Sequence, residues 1–168
     1  MSIIFAQIFR LISAFFYLAG DRSNSKKKIY TYNAVCNFFS GIQYLLLNAF
    51  TGALCSFLAI FRNIFLFRYG KRVPLWSFIT YLLIVLGLNL LVYDGTITIL
   101  PFFLVLFYSI ALYIGKIKYI KYSIIITCLL EIIYDVYYLA YVGIVVSIID
   151  IILVTISLRK LKKGKKSN

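Results

Sequence analysis

The chain contains no histidine, and among its 168 residues there are only five acidic residues, two prolines and three cysteines. Without histidine there is no side chain whose ordinary titration falls near neutral pH. No nucleophile stands at a catalytic spacing from a base, so an enzyme is not expected. Cys36, Cys55 and Cys128 are odd in number and lack metal-ligand spacing. They read as buried thiols that pack like small apolar residues, with neither a zinc site nor a disulfide framework implied. No metal and no cofactor is expected. Charge is scarce too: 14% of the residues are charged, against about a quarter in a soluble domain.

What is present is apolar sequence, 63% of the chain. The run Tyr119–Leu158 is nearly unbroken, and as one helix it would reach roughly 60 Å, about twice the hydrocarbon thickness of a bilayer. It therefore reads as two spans folded back at Ala140–Gly143. Seven spans of about 20 residues use almost the whole chain: Ile3–Ala19, Ile29–Leu47, Gly52–Phe67, Pro74–Tyr93, Ile97–Ile114, Tyr119–Leu139 and Val142–Leu158. The fold class is all-α integral membrane, one membrane domain over residues 1–168. Residues 3–69 form a first three-helix bundle, 74–93 a linker helix, 97–158 a second bundle and 159–168 a basic tail. Arg10 interrupts the first apolar run and no basic stretch precedes it, so this run reads as a span rather than a signal peptide. Pro74 opens a helix, and Trp76 reads as an interfacial anchor.

Sixteen of the eighteen Lys and Arg residues fall on one side of this arrangement. They occupy the 20–28, 68–72 and 116–121 connections and the tail. The positive-inside rule makes that side cytoplasmic, with the N-terminus outside and the C-terminus inside. The net charge of +13 is thus read as topology and contact with anionic lipid, not as nucleic-acid binding.

An internal repeat supports the count. Ala49-Phe50-Thr51-Gly52 is followed by Ser56, and 91 residues later Ala140-Tyr141-Val142-Gly143 is followed by Ser147. Three spans, one linking span and three more give parallel repeats, which place a site between them near the membrane midplane. Asn33, Asn37, Ser40 and Tyr44 share one face of the second span. The same shift carries them onto Ile124, Cys128, Glu131 and Asp135. Polar faces at equivalent places predict a central cavity. Serines and asparagines of this kind also glue helices together, but carboxylates inside a span mark function by default.

The expected substrate-binding residues are Arg10, Arg62, Asn63, Glu131, Asp135 and Asp150, with Gln7, Asn37 and Gln43 as neutral hydrogen-bonding groups. Arg62 is six residues from Arg68, hence ~9 Å inside, and Asp150 is ~13 Å inside. An Arg62–Asp150 pair across the bundles is therefore expected. Glu131 and Asp135 lie one turn apart, so they repel, and Glu131, taken as the deeper, is the proton-binding candidate. Tyr134, Tyr137, Tyr138 and Tyr141 read as an interfacial belt.

Gln7, the turn and small residues of Gly52–Ser56, and the Arg62…Arg68 pair give the chain a resemblance to the YgjV-type bacterial inner-membrane proteins. The resemblance implies membership of the broader SWEET, PQ-loop and nicotinamide-riboside-transporter group, with a 3+1+3 fold. The Pro-Gln signature of that group is absent, and Pro101 would be its hinge. The expected function is a small polar-solute transporter or facilitator of the bacterial inner (cytoplasmic) membrane. A non-transporting scaffold or lipid-interacting protein is the alternative. Expected partners are membrane lipids and an unidentified small polar solute, and a homo-oligomer is compatible with the sequence.

Overall fold

The computed structural model describes residues 2–21, 26–69, 74–93, 95–114 and 116–164. Among them there are seven α-helices: α1 (Ser2–Asp21), α2 (Lys26–Leu46), α3 (Phe50–Tyr69), α4 (Leu75–Leu91), α5 (Leu100–Ile114), α6 (Ile117–Tyr137) and α7 (Tyr141–Gly164). Residues 22–25 and 70–73, residues 94 and 115 in the connections around α5, and the last four residues of the tail lie outside the described residues.

Helices fill the chain because its two prolines stand at helix starts. Pro74 is extended (φ −70°, ψ 149°) immediately before α4, where a missing N–H is harmless. Pro101 differs from its expected role. It is the second residue of α5, directly after a 3₁₀ turn at Thr96–Ile99. There it opens a helix and breaks no internal hydrogen bond, so it is not a mid-span hinge. α2 begins inside the basic connection, and α7 runs on through Arg159 to Gly164. Lys and Arg are good helix formers, and cations favour a helix C-terminus, which accounts for the extension of α7 into the tail.

The segments Phe50–Tyr69, Thr96–Ile114 and Tyr141–Arg159 are long and apolar enough to cross a membrane, and Ile3–Ala19 and Leu75–Leu91 are shorter apolar helices. α2 and α6 stand apart because each carries a polar face. Large apolar side chains point outward along the helices, among them Phe15, Phe61, Trp76, Leu83 and Leu91. That is the inverse of a soluble surface and suits a hydrocarbon solvent.

α1 packs on α2 and α2 on α3; likewise α5 packs on α6 and α6 on α7. α1 also meets α7, α3 meets α5, and α4 touches α3 and α5. Small buried residues, Ala6, Ala14, Ala49, Ala53 and Ala59, let helix backbones approach closely. One apolar cluster joins the two hairpins through Tyr44, Ala49, Ala53 and Tyr134. A second lies between α6 and α7 around Ile124, Cys128, Val154 and Leu158. A third sits where α3, α4 and α5 meet, at Cys55, Val85 and Val105. All three cysteines are buried thiols, as the sequence predicts.

Candidate functional site

Buried polar groups need partners, and the central ones here find them across helices. Arg10, halfway along α1, donates from Nη1 to Ser40 Oγ on α2 (3.1 Å) and from Nη2 to Glu131 Oε1 on α6 (2.6 Å). The second contact is an ion pair between a buried Arg10 and a partly buried Glu131. Glu131 Oε2 accepts from Ser147 on α7 (3.0 Å). Ser13, next along the inner face of α1, shares a hydrogen with Ser40 (2.7 Å) and donates to the Cys36 carbonyl (3.1 Å). Tyr44 donates its hydroxyl to Asp135 Oδ1 (2.9 Å) and lies 3.4 Å from Glu131 Oε1. One network thus ties α1, α2, α6 and α7 together, and a charge-assisted hydrogen bond stands at its centre.

Beside this network is a cavity of about 180 Å³. Its walls come from α1, α2, α3, α5 and α6. Arg10, Glu131, Asn33, Asn37, Ser40 and Arg62 contribute the chief polar groups. The apolar remainder includes Ala59, Pro101, Leu104 and Val105. A guanidinium–carboxylate pair, a second guanidinium, two amides and hydroxyls can recognise a small polar molecule by hydrogen bonds, with apolar walls setting its size.

Four of the nine expected site residues, Arg10, Arg62, Asn37 and Glu131, line this cavity. The other five lie elsewhere. Gln7 donates to the Leu139 carbonyl (3.0 Å) and accepts from the Val142 amide (3.0 Å), so it clamps the α6–α7 turn. Gln43 and Asn63 are fully buried, and the amide atoms of both have no hydrogen-bond partner. Asp135 is fully buried against the turn, and Asp150 is buried on α7.

Three expectations about pairing change. Arg62 donates to Ser109 Oγ on α5 (2.9 Å) and lies over the Tyr108 ring at 5.0 Å. It is held by its α5 neighbours instead of by Asp150. The acid that carries an ion pair is Glu131, because Arg10 on α1 faces it. Asp135, expected to lie shallower than Glu131, is instead the fully buried one: Tyr44 bonds one oxygen and Oδ2 has no hydrogen-bond partner. Tyr134 is fully buried and no belt residue. Its hydroxyl bonds Thr51 (3.1 Å) and accepts from the Gly52 amide (3.0 Å). Tyr137 and Tyr141 are exposed, as a belt requires.

Ser13, Tyr134 and Ser109 were not legible as site residues. A single serine or tyrosine in an apolar helix carries no pattern of its own. The Arg10–Glu131 contact could have been suspected from charge alone, since a guanidinium in the middle of a span demands an acid.

The sequence matches the family model of the Imp-YgjV proteins, described as bacterial inner membrane proteins, over residues 4–165. No curated protein and no solved structure matches it. The match spans nearly the entire sequence, in agreement with the outward apolar faces and the membrane-length helices, and the chain belongs to the Imp-YgjV family of bacterial inner membrane proteins.

Proposed function

We propose that this protein is a transporter or facilitator for a small polar solute, and that the solute passes between two three-helix bundles. The reading rests on one observation: the helices enclose a cavity whose walls include Arg10, Arg62, Asn33, Asn37, Ser40 and Glu131. A scaffold needs no such space, and a packed interior would have favoured that alternative. α1–α3 and α5–α7 are the bundles, α4 the linker, and all seven helices cross the membrane in a 3+1+3 arrangement. The polar faces of α2 and α6, which lower their apolar character, meet each other at Tyr44 and Asp135 and need not face lipid. The basic connections and tail lie in the cytoplasm, in contact with anionic lipid. The Arg10–Glu131 pair lies within the cavity wall. Its making and breaking would couple the two bundles to the solute, much as repeats rock about a fixed site.

The test is comparison of metabolite pools in cells with and without the protein, followed by uptake of each changed compound into proteoliposomes. Uptake that falls sharply in Asn37→Ala and Ser40→Ala supports the reading. Empty and protein-loaded vesicles that take up every changed compound at the same rate overturn it.

A further inference from the structure

A second cavity, of about 220 Å³, lies between α3, α4 and α5. Arg62, Tyr81, Ser109 and Ser77 supply its polar groups, and Phe61, Phe65, Phe78 and Tyr113 are among its apolar walls. Arg62 belongs to the walls of both cavities. The chemistry around it is one-sided. Its Nη1 is used by Ser109, but its Nε–H is buried with no partner, and the Tyr81 hydroxyl is likewise buried and unpartnered. Ser109 Oγ accepts from Arg62, so its own hydrogen is left to donate. Among the described residues the one carboxylate–guanidinium pair is Arg10–Glu131. Arg62 has a hydroxyl and an aromatic face for company, neither of which carries countercharge.

Three donors of this kind around one cavity, one of them a full positive charge, lack an anionic acceptor. A guanidinium in a span is costly without one. The walls add a direction. Phe61 and Tyr113 are 68% and 43% exposed, so the cavity opens on the outer face of α3 and α5, where hydrocarbon lies. Phe78 stacks on Tyr113 at 4.8 Å between ring centroids, which lines the cavity with a flat apolar surface. An occupant that suits it has an oxyanion at one end and an apolar body at the other.

We propose that Arg62, Tyr81 and Ser109 form a binding site for an oxyanion, a carboxylate or phosphate, borne on an apolar group. The guanidinium supplies the charge, Nε–H and the two hydroxyls supply hydrogen bonds, and the aromatic wall takes the body. The source is either a soluble amphiphilic acid or the headgroup of an anionic lipid. The site shares Arg62 with the central cavity, but Tyr81 and Ser109 line only this one, so Tyr81→Phe tests it apart from the transport reading.

The test uses the purified full chain and two probes. Hexanoate is added to protein in neutral detergent and thermal unfolding is followed. Separately, nanodiscs of phosphatidylcholine with or without phosphatidylglycerol are used, and retained lipid is read by native mass spectrometry after release. The variants are Tyr81→Phe and Arg62→Gln. Tyr81→Phe removes one unpartnered hydroxyl, so it folds at least as well as the wild type without a probe. Affinity falls about tenfold or more in Tyr81→Phe, as expected for one hydrogen bond to a charged group, and binding is lost in Arg62→Gln. Hexanoate stabilisation of the wild type that shrinks in Tyr81→Phe identifies the soluble source. Selective retention of phosphatidylglycerol that shrinks likewise identifies the lipid. The proposal is overturned if neither probe binds, or if Tyr81→Phe binds both as tightly as the wild type.

Discussion

The α2–α3 turn and the α6–α7 turn have the same backbone and different chemistry. Asn48 and Leu139 both take the left-handed conformation, at φ 57° and 56°. The Ala49 amide reaches back to the Tyr44 carbonyl (2.9 Å) as the Ala140 amide reaches to that of Asp135 (2.8 Å). Leu47 to Gln43 and Tyr138 to Tyr134 repeat the match, at 3.1 and 3.2 Å. Every partner is displaced by the same 91 residues that separate Tyr44 from Asp135. Those two residues, equivalent in the two hairpins, are also hydrogen-bonded to each other. Equivalent positions touch only near an axis that relates the halves. The two like turns thus bring corresponding positions face to face, and their side chains are unlike: hydroxyls on α2, carboxylates on α6. The first half adds the cation that one of those carboxylates requires, at Arg10.

The sharpest way to break the comparison is at that cation. Arg10→Gln leaves the partly buried Glu131 without its countercharge. We expect a loss of about 3 kcal/mol, the lower end of what removing one partner of a buried pair costs, because Glu131 keeps some exposure. The double variant with Glu131→Gln should recover most of it, because neither charge then remains. Unfolding of the three variants in detergent measures the coupling. A double variant no better than Arg10→Gln would show that the pair is not what holds the halves together.

The two turn glycines give the next effect. A Cβ at Gly143 would overlap Asp135 Oδ2, and one at Gly52 would come within 2.8 Å of the Tyr134 hydroxyl. Gly143→Ala must displace the carboxylate and with it the bond to Tyr44, so roughly 3 kcal/mol is expected, the upper range for overpacking. Gly52→Ala pushes on a ring tip and should lose about 1–2 kcal/mol. Equal losses would mean that the two glycines do the same job, and the difference between the halves would shrink to the ion pair. A third contrast is at Gln7, which clamps only the second turn. Gln7→Ala removes two hydrogen bonds to backbone groups that are exposed or partly buried, so about 1–2 kcal/mol in total is expected from the net value of such bonds. The loss should appear as faster amide exchange at Leu139–Val142 with the first turn unchanged.

The comparison also explains what could be read from sequence. The likeness of the two turns was legible, because Ala-x-x-Gly followed by a serine recurs at both, and both turns fold alike. The apolar helices were legible from hydropathy. Chemistry on the polar faces was legible as residue types but not as partners. Arg62 and Asp150 were matched by depth alone, and depth says nothing about azimuth. Arg62 points to α5, where Ser109 and Tyr108 hold it. Asp135 was read as shallower than Glu131 because it stands nearer the helix end, yet Gly143 packs over it. Packing across elements decides such contacts, and a sequence written along the chain does not record it. Tyr134 was missed for the same reason: in a cluster of tyrosines, nothing in the sequence marks the one that turns inward.

The smallest expected effect tests the backbone itself. Asn tolerates the left-handed region well, whereas Leu does not, since its Cβ crowds the following carbonyl at a cost of about 1–2 kcal/mol. The first turn therefore sits comfortably and the second is held in place, in part by Gln7. Leu139 is 47% exposed, so removing its side chain gives up little burial. Leu139→Gly relieves the crowding and should stabilise the protein by roughly 0.5 kcal/mol, the relief less the entropy that glycine brings to the unfolded chain. Asn48→Gly should change stability by no more than a few tenths of a kcal/mol, because Asn already tolerates the conformation. The combination of Leu139→Gly with Gln7→Ala is the informative one. If Gln7 serves to hold a strained turn, relief of the strain makes its loss less damaging than in the parent. The two effects then fail to add. Strict additivity in unfolding free energy would show that Gln7 binds the turn without holding it against strain, and that the halves differ at this point in contacts alone.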